Sequence, residues 1–182
     1  MRMVLESGDH ELIEACRRGE RDGFHALFQA YKDRVYSIAL RFSGDETLAM
    51  DIAQDTFLKL FSTMAEFRGD AAFSTWVYRL VVNACLDHKR RSWRTIPIPD
   101  ELIAVLRAPA DSLASLLHSE MRDRVRAAVE TLSPDMRMTV VLRYTEGLSY
   151  DEIAEVTGCS PGTVASRLNR AHKALERRLS DV

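Results

Sequence analysis

The feature that most constrains how this chain can fold lies in its last quarter. There, Leu148-Ser149-Tyr150-Asp151-Glu152-Ile153-Ala154-Glu155 runs through Gly158-Cys159-Ser160-Pro161 into Gly162-Thr163-Val164-Ala165-Ser166-Arg167-Leu168. Ser149 and Glu152 stand at capping-box spacing, where each side chain accepts the other residue's backbone N–H, so a helix is expected to start at Tyr150. Gly158 supplies a sharp bend. Ser160 is then a second N-cap, and Pro161 occupies the first helical position, where a missing N–H costs nothing. The segment reads as two short helices meeting at a tight turn, a helix-turn-helix.

On the second of these helices Val164, Leu168, Ala171 and Leu175 recur at spacings of three and four, which lays them along one buried stripe. The other side carries Thr163, Ser166, Arg167, Asn169, Arg170 and Lys173. These groups can bond base edges and phosphates from a helix in the major groove. The alternative is an ordinary capped helical hairpin with a solvated basic face.

Elsewhere too, apolar residues recur at helical spacing, glycine and proline are sparse, and alternating β-branched runs are hard to find. The expected fold is all-α. At 182 residues the chain has room for two small helical domains, each able to bury a core. Its net charge of −2 is unusual for a protein that binds DNA unaided, for which a strongly basic domain is the usual footprint. The charge is unevenly spread. Arg167, Arg170, Lys173, Arg177 and Arg178 crowd the final helix, and Asp45, Glu46, Asp51 and Asp55 crowd one stretch of the first half. A few phosphate contacts give limited, salt-sensitive affinity, so a protein partner is expected to supply the rest.

Cys16, Cys85 and Cys159 are far apart, with no C-x-x-C and no histidines at zinc-ligand spacing, which argues for reduced thiols in helical packing and no metal or cofactor. Met1 to Glu6 lack a long apolar core and no run is long enough to cross a bilayer, so a cytoplasmic protein is expected.

From about His10 to Ser43-Gly44 the apolar residues follow a helical period, broken near Gly19. Asp45 then caps a helix with Leu48, Ala49, Ile52, Ala53, Thr56 and Leu60 on one side and Asp51, Gln54, Asp55 and Leu58 on the other. A further helix spans about Phe73 to Arg91, with Phe73, Trp76, Val77, Leu80, Val81 and Ala84 apolar and Thr75, Arg79, Asn83, Leu86 and Arg90 opposite. Trp76 is expected in the core because it shares the stripe with Leu80. Pro97, Pro99 and Pro109 mark residues 95–111 as a linker between domains at 1–94 and 112–182, and its Leu102, Ile103, Val105 and Leu106 call for cover. A helix from Asp111 or Ser112 to about Leu132 and one from Ser133-Pro134 to Gly147 complete the chain. His88 and His172 read as solvated or phosphate-facing.

Taken together these residues resemble the extracytoplasmic-function (ECF) sigma factors, bacterial RNA polymerase specificity subunits built from two helical domains and a linker. Asp51-Ile52-Ala53-Gln54-Asp55-Thr56-Phe57 is similar to the family's helix that docks on the β′ clamp coiled coil. Phe67-Arg68-Gly69-Asp70 and Phe73-Ser74-Thr75-Trp76, with Arg79 and Val82-Asn83 beyond, resemble the segment that opens and reads the −10 promoter element. The helix-turn-helix resembles the reader of the −35 element. The resemblance implies polymerase contacts at Asp51, Gln54, Asp55 and Leu58. It implies −10 contacts at Phe67, Arg68, Asp70, Arg79, Asn83 and Arg90, and −35 contacts at Thr163, Ser166, Arg167, Arg170 and Lys173. It also implies core RNA polymerase (β′ clamp and β flap), promoter DNA and an anti-sigma factor as partners. Ala165 stands where many members carry a basic residue.

The chemistry is compatible with these roles. Trapping a base that has left the stack costs a few kcal/mol and needs a pocket with polar groups, which a loop at Glu66–Ala72 beside Asn83 can supply. Arg79, Lys89, Arg90, Arg91 and Arg94 offer backbone cations for a single strand. For the acidic cluster at Asp51 a solvated face is the alternative. No nucleophile–base pair or Gly-rich phosphate loop stands out, so the chain reads as a binding protein and not an enzyme. The other reading is a repressor or activator that binds duplex DNA without polymerase and dimerises on two half-sites.

Overall fold

A computed structural model of the chain describes residues 8–67, 69, 72–92, 121 and 124–180. Among them all regular structure is helical, in two domains as expected. The first domain contains α1 (Gly8–Arg17), α2 (Arg21–Ser43), α3 (Glu46–Ser62), a 3-10 turn (Met64–Glu66) and α4 (Phe73–Ser92). The second contains α5 (124–130), α6 (Pro134–Tyr144), α7 (Tyr150–Thr157) and α8 (Pro161–Ser180). The linker and the start of the helix expected at residue 111 or 112 lie outside the described residues, as do Arg68 and Asp70.

Periodicity explains the first domain. On α2, Leu27, Tyr31, Val35, Ile38 and Phe42 repeat at four and three and are all buried. They meet Ala49, Ile52 and Leu60 of α3 and Val77, Val81 and Cys85 of α4. An aromatic cluster closes one end. Phe67 packs 5.1 Å from Phe73 and 5.2 Å from Trp76, so Trp76 sits partly buried against the core.

The caps fall where local chemistry sets them. The Asp45 carboxylate accepts the Leu48 N–H at 2.8 Å and opens α3. The capping box at Ser149 and Glu152 opens α7, and Gly158 closes it. Ser160 accepts the Thr163 N–H at 3.2 Å at the start of α8. The helix expected to reach Gly147 ends at Tyr144 instead. Gly147 adopts φ +69, and the Leu148 N–H turns back to the Leu142 carbonyl at 3.2 Å, which uses up a helix-end acceptor before the chain can continue.

The two domains touch. α6 packs on α2 and α4, and α7 packs on α4, so buried residues from Ile13 to Leu168 form one continuous apolar cluster. Arg137 of α6 is central to this seam. It is 4% exposed, donates to the Phe42 carbonyl at 2.9 Å and to the Glu130 carbonyl, and lies over the Phe42 ring. Gly44 closes α2 with φ +75, a left-handed conformation that favours glycine.

Cys16 and Cys85 are buried, and Cys159 is half-buried. Desolvation raises the Cys16 thiol and pushes Cys85 up to about 12. The folded chain therefore holds the Cys85 proton more tightly than the unfolded chain. Its contribution to stability is intact below the unfolded thiol's ordinary range and declines as pH rises from there toward 12. In a native thiol titration near neutral pH we expect only Cys159 to react promptly, with all three reacting once the chain is unfolded. Prompt reaction of Cys85 in the native chain would contradict this packing.

Candidate functional site

Among the described residues of the first domain, the exposed large apolar side chains gather on the outer face of α2 and α3. Phe28 is 38%, Met50 63% and Leu58 60% exposed. They line a shallow groove of about 510 Å³ whose floor includes Phe57 and Phe61 and whose wall includes Gln54. Met50, Gln54 and Leu58 fall at i, i+4 and i+8, one straight row along α3. Asp51, Gln54, Asp55 and Leu58 are all exposed, as the sequence implies. Met50 and Phe28 lie on the same face, beyond the residues that the resemblance implies. The available signal was the four-residue row through Met50, which lies outside the buried stripe. His88 is not simply solvated, since its Nε2 lies 2.8 Å from the Asp55 carboxylate and ties that side chain to α4.

Along α4, Arg79, Asn83 and Arg90 share one line, because spacings of four and seven return to the same side of a helix. Asn83 is exposed, and Arg90 pairs with Asp87 at 2.6 Å. Arg79 is engaged by the second domain, donating from Nε to the Glu155 carbonyl at 3.1 Å and lying 3.4 Å from the Glu155 carboxylate. Phe67 does not project outward with them. Its ring sits in the aromatic cluster and its carbonyl accepts from Arg17.

On α8, Val164, Leu168 and Ala171 are buried and Leu175 half-buried, as the stripe predicts. Ser166, Asn169, Arg170 and Lys173 stand exposed on the opposite side, and Thr163 is half-buried at the first turn beside Ser160. Arg167 departs from the sequence reading. Its side chain is only 19% exposed, lies 3.4 Å from the Asp135 carboxylate at the start of α6 and reaches the Cys159 sulfur at 3.7 Å. It pins α8 to α6 and to the turn. Asn169 has no hydrogen bond or ion pair among the described residues and faces solvent between Ser166 and Lys173. His172, read as solvated or phosphate-facing, contacts the Tyr144 hydroxyl at 2.7 Å.

A capped helix-turn-helix with a polar, cationic outer stripe defines a DNA-binding protein. The joined helical domain leaves an apolar row exposed on α3. Comparison with known proteins gives the family. Residues 27–95 match sigma-70 region 2, and residues 122–175 match sigma-70 region 4. The chain is 33% identical over 97% of its length to the RNA polymerase sigma-H factor of Pseudomonas aeruginosa, covering 96% of that protein. It is 34% identical to the ECF RNA polymerase sigma-E factor of Escherichia coli K12, with 94% of each chain covered. Among solved structures it is similar to CnrH in complex with the cytosolic domain of CnrY, at TM-score 0.70 and 26% identity, covering 96% of this chain and 99% of that one. The fold is shared with the sigma factor RpoE in complex with the anti-sigma factor NepR from Bartonella quintana, at TM-score 0.64 and 22% identity, covering 87% and 97%. The chain belongs to the ECF family of RNA polymerase sigma factors, transcription initiation factors and not enzymes. No helix among the described residues is long and apolar enough to cross a membrane.

Proposed function

We propose that the chain binds core RNA polymerase through the α2–α3 face and directs initiation in the cytoplasm by capturing unpaired −10 bases along α4 and reading the −35 duplex with α8. Domains at 1–94 and 112–182 with a linker at 95–111 would carry these tasks. The observation that carries the reading is the exposed row Met50, Gln54 and Leu58 flanked by Asp51 and Asp55. An apolar ridge with acidic edges suits a helical partner that presents apolar residues beside cations, and family membership supports the β′ clamp in that role. Titrating labelled protein with core polymerase tests it: saturable binding is expected, and no complex at micromolar core would overturn it.

The RpoE structure that shares this fold includes the anti-sigma factor NepR, and a comparable regulator of this chain is part of the proposal. An apolar groove of about 670 Å³ between Tyr36 and Leu40 of α2 and Val125, Val129, Val140 and Tyr144 of the second domain suits an amphipathic helix that touches both domains at once.

For the −35 duplex the reading assigns sequence choice to Ser166 and Asn169, with Arg170 and Lys173 on phosphates. Asparagine pairs bidentately with the major-groove edge of adenine. Asn169→Ala is expected to relax preference at one base position by about tenfold or more, whereas Lys173→Ala should weaken all duplexes alike and lower the salt slope by about one. Selection from a randomised duplex pool, followed by salt titration, separates the two. An unchanged base preference in Asn169→Ala would remove that residue from the readers.

A further inference from the structure

On a helical wheel Arg167 falls beside the residues assigned to the −35 duplex, yet its guanidinium leaves that face. Nη2 lies 3.4 Å from the carboxylate of Asp135 in the first turn of α6, and Nη1 reaches the Cys159 sulfur at 3.7 Å. Both contacts are themselves held. The Thr139 hydroxyl donates to the Asp135 carbonyl at 2.7 Å, and Ser133 caps the same helix. The Cys159 sulfur lies 3.2 Å from the Thr157 hydroxyl, and the next residue, Ser160, accepts the Thr163 N–H and opens α8. One side chain thus ties the helix to α6 and to the turn that starts it.

We propose that Asp135, acting through Arg167, is a positioning residue for −35 recognition, which fixes the rotation of α8 about its own axis. It rests on the reading of α8 as the helix that enters the −35 major groove. Val164, Leu168 and Ala171 seat α8 on its neighbours, but apolar burial has no direction, so a helix held by it alone can roll. Ser166 and Asn169 would roll with it. Polar groups that meet a base edge have to be held to within roughly 10–20° of the productive geometry, and an ionic contact to a fixed carboxylate supplies the missing direction. Arg167 is committed to Asp135 and is 19% exposed, so it adds no phosphate contact. The sign of the effect identifies the role. If Asp135 acted only by its charge, removing it would strengthen binding to every duplex alike; as a positioning residue, its removal lowers the preference for the selected sequence.

The test uses the full chain assembled with core polymerase. A duplex pool randomised across the −35 region gives the preferred sequence, and affinities are then measured for that duplex and for its single-base variants. Asp135→Asn keeps the size of the side chain and removes its charge, and Arg167→Gln removes the partner. Each is expected to lower discrimination between these duplexes about fivefold. The combined variant should lose no more than either, because all three remove the same contact. Asp135→Glu keeps a carboxylate within reach and should retain most of the preference. The slope of affinity against salt should stay at the wild-type value throughout, since no phosphate contact is lost. Melting curves guard against misfolding, and the Asp135 side chain is 56% exposed, so the fold should tolerate its replacement. Undiminished discrimination in Asp135→Asn, additive losses in the combined variant, or a salt slope lower by about one in Arg167→Gln would overturn the proposal. A wild-type chain that selects no duplex would overturn the α8 reading and this proposal with it. A wild type that selects, beside an Asp135→Asn variant that selects equally well, would remove the positioning role alone.

Discussion

Arg137→Ala is expected to cost about 3 kcal/mol of stability, because it strips charged hydrogen bonds from the buried Phe42 carbonyl and the part-buried Glu130 carbonyl and leaves a void over the Phe42 ring. For a chain of this size that corresponds to a fall of roughly 6–12 °C in the thermal midpoint. Burial disfavours the charged guanidinium and lowers its pKa, so the side chain is kept in place by its fit to the two carbonyls and the Phe42 ring. Lysine restores the charge but not the planar fork that spans two acceptors, so Arg137→Lys should recover less than half of the loss. Melting curves of the three proteins decide the matter. A midpoint within a degree of wild type for the alanine variant would show that the seam carries no stability.

The second large effect is functional. Leu58→Asp places a carboxylate in the middle of the exposed row on α3, where core binding would have to desolvate it beside Asp51 and Asp55. The expected loss of affinity for core polymerase is about 100-fold or more, roughly 3 kcal/mol. Leu58 is 60% exposed in the free chain, so stability should change by no more than about 0.5 kcal/mol. Met50→Asp should behave in the same way. Competitive binding against the wild-type chain, with melting curves alongside, reads both quantities. Wild-type affinity in both variants would remove this face from the polymerase interface.

What was legible in the sequence was what short-range chemistry sets. Ser149 with Glu152, Gly158, and Ser160 with Pro161 each act within one helical turn, and α7 and α8 start at Tyr150 and Pro161 as those residues require. Asp45 fixed the start of α3 for the same reason. Less legible were contacts that depend on which helix lies alongside. A helical wheel puts Arg167 near the outer side of α8, but Asp135 at the start of α6 draws it inward. His88 and Asp55, or Arg34 and Glu146, are far apart in sequence and meet only after packing. Met50 illustrates a different limit. A large apolar residue among apolar neighbours looks like core, and only the burial of Ala49 and Ile52 beside it shows that Met50 faces outward.

Run-off transcription most directly tests the claim that this chain programs polymerase. Purified core enzyme would be offered a pool of promoter fragments with and without the protein, and the start sites sequenced. The account predicts initiation from a defined subset of fragments that depends on the protein, shares −35 and −10 elements, and disappears with Leu58→Asp. Start sites that are the same with and without the protein, together with duplex binding that needs no core enzyme, would contradict it.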